Sequence, residues 1–294
     1  MVKTIFQTIR GIFTSTLLVL NLIPIPIFVI TIAILRLFIP IPKIRHAIDS
    51  FLQGTMTSLY LDINKTILKL TGTTWEIKGK GNLSRKGWYF LMANHQSWLD
   101  ILVLQIGFNR KIPMLKFFMK QELLWTLPIG GLACYLLDFP FMKRHTKEYL
   151  KKHPGQRDKD MQTTKEKCKK FKHIPTTIMN FLEGTRFSEK KHKARSSPYK
   201  NLLPPKAGGI AFALEAMNGT IKEIVDTTII YSDPKTTLWD FLCGRLKKIT
   251  ILYEVVPITN ELIGDYYHDK EFRRQFQQWL NSRWQIKDQL LMKK

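Results

Sequence analysis

The chain lacks the sequence patterns that identify several common enzyme classes. Its three cysteines, Cys134, Cys168 and Cys243, lie far apart without a C-x-x-C spacing, so neither a disulfide framework nor a zinc site is indicated. It contains no G-x-S-x-G elbow, no G-x-x-x-x-G-K-[ST] loop and no G-x-G-x-x-G fingerprint. A covalent serine intermediate and a nucleotide-binding site would therefore lack their usual parts. We interpret the cysteines as reduced, small apolar side chains.

Acidic residues are also scarce. The 294 residues include 46 Lys and Arg against 23 Asp and Glu, which gives a formal net charge of +23. An excess this large favours a polyanionic partner such as nucleic acid, anionic lipid headgroups or an acidic carrier. Hydrophobic residues make up 45% of the chain and aromatic residues 12%, which argues against disorder. The length suits one large domain, or one domain with an appendage.

One long run without charge lies near the N-terminus, from Gly11 to Leu35. As a straight helix its 25 residues would reach about 37 Å, enough to cross a hydrocarbon core of about 30 Å. Pro24 and Pro26 interrupt it, and cations flank both of its ends, which the positive-inside rule places on the cytoplasmic side. A bent hairpin in one leaflet would satisfy both facts; a kinked full span and a cleaved signal peptide are the alternatives. We expect residues 1–45 to anchor the protein to a membrane, with the basic excess attracting anionic lipid.

Beyond the anchor, strand-like and helix-like patterns alternate, which indicates an α/β architecture. The run from Trp88 to Ala93 is continuous and apolar, as is typical of a strand buried on both faces. The tail at 269–291 carries large apolar residues at amphipathic helical spacing, and we expect that stripe to dock on the core. The pattern also predicts a helix over "FFMKQELLW" (117–125) and a loop over 188–203.

The heptapeptide "NHQSWLD", Asn94 to Asp100, directly follows the apolar run. On one continuous helix the side chains of His95 and Asp100 would lie about 140° apart and could not meet. If the strand ends at Ala93 and Ser97 caps the next helix, Asp100 at the N3 position points back to His95 and can accept its ring N–H. The other ring nitrogen is then a proton acceptor, as a general base requires. The alternative, which is compatible with the first, is a capping box beside an ordinary polar histidine.

Three further stretches place charged groups at predicted element ends. In "EGTR", Glu183 to Arg186, the glycine allows a turn, the threonine offers a hydroxyl, and the arginine offers a planar fork for a phosphate that the glutamate can orient. Arg144 closes the strand end "FMKR", and Lys206 precedes a glycine-rich helix entrance. Each stretch by itself is more typical of a solvated surface. Because α/β sheets gather strand ends at a ligand-binding edge, together they favour transfer of a group to the hydroxyl of a phosphorylated lipid.

Four blocks resemble, in order, those of the glycerolipid acyltransferases of the PlsC type, the 1-acylglycerol-3-phosphate acyltransferases. "NHQSWLD" is similar to their H-x-x-x-x-D motif, "DFPFMKR" to their second block, "FLEGTR" to their E-G-T-R block and "LLPPKAGG" to the block that follows. The likeness runs from about Trp75 to Leu214, and the chain looks most similar to the bacterial YihG-type branch. The resemblance implies a mixed sheet flanked by helices, with residues 1–45 as an N-terminal membrane anchor and residues 46–294 as the acyltransferase domain.

The resemblance also implies an activity and a site. His95 would be the general base and Asp100 its orienting partner. The acceptor would be bound by Arg144, Glu183, Gly184, Thr185, Arg186 and Lys206. The sn-2 hydroxyl of 1-acylglycerol 3-phosphate would attack an acyl thioester, and CoA or acyl carrier protein would leave, giving phosphatidate. Neither a metal nor a cofactor is implied, since the thioester is already activated. The implied location is the bacterial cytoplasmic membrane, with the catalytic domain facing the cytoplasm.

Two other interpretations stay open. The same chemistry could act on another lysophospholipid or on a glycerol phosphate. Alternatively, the charge of +23 and the basic stretch at 151–172 could belong to a non-enzymatic protein that binds anionic membrane surfaces or nucleic acid. We expect no nucleic acid partner, because the chain has no recognisable nucleic-acid module with aromatic stacking positions.

Overall fold

The computed structural model describes residues 2–142, 149, 152–153, 155–168, 171, 173–217 and 219–292. The strands of this part of the chain are β1 (Thr74–Lys80), β2 (Tyr89–Ala93), β3 (Leu115–Phe117), β4 (Met119–Lys120), β5 (Phe141–Met142), β6 (Thr177–Phe181), β7 (Glu223–Tyr231) and β8 (Lys248–Pro257).

The helices described are α1 (Val2–Asn21), α2 (Pro24–Leu35), α3 (Pro42–Ser50), α4 (Thr57–Leu68), α5 (Leu99–Phe108), α6 (Leu123–Thr126), α7 (Pro128–Leu136), α8 (Gln156–Cys168), α9 (Glu189–Ala194), α10 (Ala207–Ala216), α11 (Leu238–Leu242) and α12 (Lys270–Met292). A π-helical turn, Phe51–Met56, joins α3 to α4, and short 3-10 turns lie at Arg36–Phe38, Lys69–Thr71 and Asn260–Leu262.

Six strands form one sheet with the order β1-β8-β7-β2-β6-β3. Neighbouring strands run parallel except β7 and β8, which are antiparallel. The predicted mixed sheet is therefore confirmed. Strand β2 pairs with β7 on one side and β6 on the other, and its five residues are all buried, which explains their continuous apolar pattern.

Helices cover both faces of this sheet. Phe90 and Met92 of β2 pack in an apolar cluster with α10 and α12, whereas Leu91 and Ala93 pack in a second cluster with α5. This alternation follows from the two-residue period of a strand. The predicted docking of the tail is confirmed, because Phe276, Leu280 and Trp284 of α12 are buried in the first cluster.

The N-terminal helices lie against this domain. The stretch Val2–Phe38 is long and apolar enough to cross a membrane by length and composition, and most of it is exposed. A turn at Leu22 separates α1 from α2, just before Pro24. One face of α1 packs on α4 and α11, and α2 packs on α7. The domain boundary at residue 45 stays a prediction.

Three local predictions are wrong. The predicted helix over 117–125 begins only at Leu123, in α6; before it lies β4, because Met119 pairs with Phe141 in a separate two-stranded parallel sheet. For the same reason the strand end before Arg144 does not lie at the edge of the main sheet. The predicted loop over 188–203 contains the short helix α9, because the Ser188 hydroxyl accepts a hydrogen bond from the Lys191 backbone N–H and caps it.

Candidate active site

The turn between β2 and α5 brings His95 onto Asp100. Oδ2 of Asp100 accepts a hydrogen bond from Nδ1 of His95 at 2.8 Å, and two more from the backbone N–H groups of Gln96 and Ser97, at 2.6 and 2.9 Å. The Asp100 side chain is fully buried. The predicted contact between imidazole and carboxylate is confirmed. With Nδ1 donating to the carboxylate, Nε2 is left as a proton acceptor.

The start of α5 differs by one residue from the prediction. The helix begins at Leu99 with Trp98 at the N-cap position, and not with Ser97 there. The reason is that the chain before the helix folds around the Asp100 carboxylate, which takes up the Ser97 backbone N–H. The Ser97 hydroxyl still accepts a bond from the Leu99 N–H at 3.3 Å. The capping and orienting roles of Asp100 therefore coexist.

Tyr231 holds the second oxygen of the same carboxylate. Its hydroxyl donates to Oδ1 of Asp100 at 2.5 Å from the end of β7, and the tyrosine is buried. Burial and the neighbouring Asp100 raise the pKa of Tyr231 well above 10, so the phenol keeps its proton and remains a donor. Tyr231 was not predicted as a site residue. The sequence shows only that a tyrosine ends the apolar strand pattern of β7.

Phe181 fixes the plane of the imidazole. The rings of His95 and Phe181 stack with their centroids 3.9 Å apart and their planes 9° apart. Phe181 is the last residue of β6, the strand that pairs with β2 in parallel, so the two rings leave the sheet at the same edge. This contact, also missed from the sequence, leaves the His95 side chain 14% exposed. The ring is thus oriented by a carboxylate and a phenyl group and still reaches solvent.

Glu183 braces the loop that carries His95. Its carboxylate is fully buried, with Oε1 accepting from the His95 backbone N–H at 2.8 Å and Oε2 accepting from the Leu203 N–H at 2.9 Å. The backbone of Phe187 in turn donates to the His95 carbonyl at 2.8 Å. The structure therefore places the first residue of "EGTR" under the histidine, where it connects β2, β6 and the segment before α10.

The Glu183 carboxyl should make stability depend on pH. Burial raises its pKa from 4.5 to about 7, and the hydrogen bonds from His95 and Leu203 offset only part of this effect. The folded state therefore keeps a proton that the unfolded chain loses above pH 4.5. This contribution to stability is complete below pH 4.5 and is lost as the pH rises through about 7; it is worth on the order of 3 kcal/mol.

We expect the melting temperature of the Glu183→Gln variant to vary less between pH 4.5 and 7 than that of the wild type. Thermal melts across this range measure the difference. Glu189→Gln, which changes an exposed carboxyl on α9, should keep the wild-type pH profile. Parallel profiles for wild type and Glu183→Gln would show that Glu183 does not titrate in this window.

Four of the remaining predicted residues lie at or beside the "EGTR" turn: Gly184, Thr185, Arg186 and Lys206. Gly184 adopts a left-handed φ of +67°, and a Cβ there would lie 3.1 Å from the Lys206 side chain, so glycine lets this lysine come close. The Arg186 guanidinium lies over the Trp98 ring, 4.3 Å from its centroid. The Thr185 hydroxyl accepts from Nζ of Lys191 at 2.8 Å. Arg144 lies outside the described residues.

A cavity of about 710 Å³ adjoins this turn. Gln96, Ser97, Trp98 and Arg186 line it, and so do Lys200 and Lys235. Neither lysine was predicted, since each lies in an unremarkable loop. Among the described residues, no three His, Cys, Asp or Glu side chains are grouped so that they could hold a metal ion. The lining therefore includes the three residues that follow His95 in the turn and three cations, Arg186, Lys200 and Lys235, together with Glu189; the imidazole itself is not part of it.

Comparisons with known proteins identify the family of this chain. Residues 74–232 match the family described as Acyltransferase. The 1-acyl-sn-glycerol-3-phosphate acyltransferase epsilon of Mus musculus is 25% identical over 226 residues, which cover 68% of this chain and 56% of that protein. The gamma enzyme of Homo sapiens is 26% identical over 186 residues, 60% of this chain and 44% of that protein. The 2-acyl-1-lysophosphatidylinositol acyltransferase of Saccharomyces cerevisiae is 28% identical over 130 residues, 40% of this chain and 33% of that protein.

The chain spans about half the length of the curated relatives it matches most extensively. Its fold is similar to the crystal structure of the 1-acyl-sn-glycerophosphate (LPA) acyltransferase PlsC from Thermotoga maritima, with a TM-score of 0.50, 15% sequence identity, and coverage of 96% of this chain and 95% of the other. At that identity the likeness supports the fold alone. The family match, in contrast, extends over more than half of the sequence and includes His95, Asp100 and the "EGTR" turn. The chain therefore belongs to the acyltransferase family.

Proposed function

We propose that this protein is a membrane-associated O-acyltransferase that moves a fatty acyl group from a thioester to the sn-2 hydroxyl of 1-acylglycerol 3-phosphate, giving phosphatidate. The observation that carries the proposal is the hydrogen bond from Nδ1 of His95 to the buried Asp100, which leaves Nε2 as a base in a turn whose next three residues line a cavity with three cations. The relatives named as 1-acyl-sn-glycerol-3-phosphate acyltransferases support the choice of acceptor.

The proposed reaction is a direct transfer. Nε2 of His95 takes the proton of the acceptor hydroxyl while its oxygen attacks the thioester carbonyl carbon. The tetrahedral intermediate then collapses, the carbon–sulfur bond breaks, and the leaving thiolate takes the proton back from the imidazolium. Asp100 stabilises that imidazolium, and Tyr231 keeps the carboxylate facing it. General base catalysis of this type typically contributes 10²- to 10⁴-fold.

The cations beside His95 would bind the phosphate of the acceptor. The Arg186 guanidinium lies over the Trp98 ring, and this contact would restrict the directions of its donors before the phosphate arrives. Lys206 packs against Gly184 and adds a second positive charge. Glu183 has no exposed surface, so we assign it a positioning role below His95 and not a contact with the acceptor. The donor is acyl-CoA or acyl carrier protein, either of which is negatively charged and suits the basic surface.

Membrane attachment would come from α1 and α2. Nδ2 of Asn21 donates to the Asn64 side chain at 2.8 Å, and a Cβ at Gly11 would lie 2.6 Å from Sγ of Cys243, so α1 is seated on the domain at two separate points. A helix seated in this way can enter one leaflet but is not free to leave the domain and cross the bilayer. These contacts favour the hairpin over the kinked span. The cations at both ends of the apolar run would then place the catalytic domain at the cytoplasmic face.

Arg186→Ala should raise the KM for lysophosphatidate by about 10- to 100-fold, because charge-assisted hydrogen bonds to a phosphate contribute about 1.5–3 kcal/mol. The KM for the thioester should change much less. Steady-state kinetics with each substrate varied in turn measure both values. Arg274→Ala, which removes an exposed arginine on α12, is the matched control and should leave both unchanged. Comparable increases in the two KM values would contradict the role assigned to Arg186.

One experiment tests the activity itself. Purified protein is given a panel of acceptors (lysophosphatidate, lysophosphatidylinositol, other lysophospholipids and glycerol 3-phosphate) with palmitoyl-CoA and palmitoyl-acyl carrier protein, and products are identified by mass. We expect phosphatidate as the main product. Preferential acylation of lysophosphatidylinositol is the second candidate, because of the similarity to the yeast enzyme of that name. Absence of acylation of every acceptor would overturn the proposal.

A further inference from the structure

The helical pair α6–α7 carries an apolar surface that no other described element covers. Residues 123–137 contain no charged side chain. We define the α6–α7 face as its large exposed side chains, Trp125, Leu127, Ile129, Leu132 and Tyr135. Trp125 is 79% exposed and Tyr135 is 57% exposed. Exposed apolar groups this close together mark a surface that contacts something other than water.

The helix α7 is apolar on two opposite sides. On one side Ala133 and Leu137 are buried, and Leu137 packs with Val29 and Ala33 of α2. On the other side Ile129, Leu132 and Tyr135 recur every third residue and point outward. A helix with no polar side is found inside a protein core or in a bilayer. The exposed side chains of α7 show that it does not lie inside the core of this domain.

The pair is also held in a defined position. A Cβ at Gly131 would lie 2.5 Å from the Leu123 carbonyl, so glycine allows α7 to pack directly on α6. The exposed side chains therefore belong to two helices packed on each other. Movement of a loop would not bury them.

We propose that the α6–α7 face is a second membrane-contact surface, which enters the lipid headgroup and acyl boundary beside the N-terminal helices. The face is continuous with the exposed apolar side of α2, which packs on α7 and presents Phe28 and Leu35 to the outside. It carries tryptophan and tyrosine, the residues that concentrate at membrane interfaces. A second copy of the chain docking on this face would leave the adjoining side of α2 in water, so lipid suits the whole surface better.

This contact would fix how the domain sits on the membrane. Attachment through α1 and α2 alone would let the whole protein roll about these helices in the bilayer, whereas a second contact more than eighty residues further along the chain removes that freedom. The proposal rests on membrane association and not on the acyl acceptor, so its test needs no turnover.

The test uses full-length protein reconstituted in vesicles of phosphatidylcholine and phosphatidylglycerol, with and without brominated acyl chains, which quench nearby tryptophans. The wild type should lose part of its tryptophan emission on bromination, and the quenched component should be smaller in Trp125→Phe by the share of Trp125; Trp239, which contacts Gly11 of α1, should account for the rest. The matched control Trp279→Phe, a partly buried tryptophan of α12, should keep the whole quenched component. Equal quenching in wild type and Trp125→Phe would overturn the proposal.

A second variant separates lipid contact from self-association. Leu132→Glu should reduce quenching of Trp125 severalfold by lifting the face from the bilayer, whereas Ile286→Glu, at an exposed apolar residue of α12, should not. Chemical cross-linking is measured in parallel. If Leu132→Glu abolishes a cross-linked dimer and leaves quenching intact, the face binds a second copy and the lipid proposal is wrong. If Leu132→Glu loses the quenching and neither the wild type nor the variant transfers an acyl group, the membrane contact is supported and the proposed function is contradicted.

Discussion

Replacing His95 with alanine should lower kcat by about 10²- to 10⁴-fold while the protein stays folded and membrane-bound. The imidazole would be the base that activates the acceptor hydroxyl. Among the described residues, the imidazole that Asp100 orients is that of His95, so the variant would lack an oriented base. The variant should stay folded, because the buried Asp100 carboxylate keeps its hydrogen bonds from the Gln96 and Ser97 backbone and from Tyr231. The assay is phosphatidate formation at saturating substrates, with circular dichroism and vesicle flotation as checks on folding and binding.

The chain offers a matched control for this experiment. Nδ1 of His268 lies 2.7 Å from Oδ2 of Asp265, almost the same distance as in the His95–Asp100 pair, but both side chains are largely exposed. Neither lies in the His95 turn, so His268→Ala should leave kcat unchanged. This result would show that an imidazole–carboxylate pair is not sufficient for catalysis, and that the position of the His95–Asp100 pair in the β2–α5 turn is also required. A His95→Ala enzyme with wild-type kcat would exclude general base catalysis by this residue.

Asp226→Ala should lower the free energy of unfolding by about 3–5 kcal/mol, because it leaves a buried cation without its counter-charge. The Lys287 side chain is 1% exposed, and Nζ donates to Oδ1 of Asp226 and to the Thr227 carbonyl, both at 2.6 Å. Nε of Arg283 donates to Oδ2 of the same carboxylate at 2.8 Å. Burial lowers the pKa of Lys287, and Asp226 acts in the opposite direction. Urea unfolding in detergent micelles measures the loss.

Two further variants decide whether the unpaired charge is the cause. In Asp226→Ala/Lys287→Met, the buried cation is removed together with its partner, and part of the stability should return. Glu271→Ala breaks an exposed pair with Arg274 and should unfold at the wild-type urea concentration. If the double variant is no more stable than Asp226→Ala, lost packing and not an unpaired ammonium explains the effect. The cluster matters for the site because Asp226 lies on β7, the strand that carries Tyr231.

Features that depend on neighbouring residues could be predicted from the sequence. The burial of β2, the docking stripe of α12 and the contact between His95 and Asp100 follow from patterns spanning a few residues, since strand, turn and helix geometry leave few arrangements over that distance. The grouping of His95 with Glu183 was predictable for a related reason. Each follows a strand, and β2 and β6 are parallel neighbours, so their ends share an edge. By contrast, β4 was predicted as a helix, because a two-residue strand is defined by its partner and not by its own pattern.

Local sequence patterns were enough to predict the α/β class, the apolar N-terminal segment and the His95–Asp100 pair. The groups that surround this pair depend on long-range contacts in the fold. Tyr231 is 131 positions from Asp100, and Asn64 is 43 positions from Asn21, yet each pair shares a hydrogen bond. Periodicity within one segment carries no information about which segment it will meet. Pairing of strands and packing of helices set those distances, and with them the orientation of the base and the way the anchor is seated on the domain.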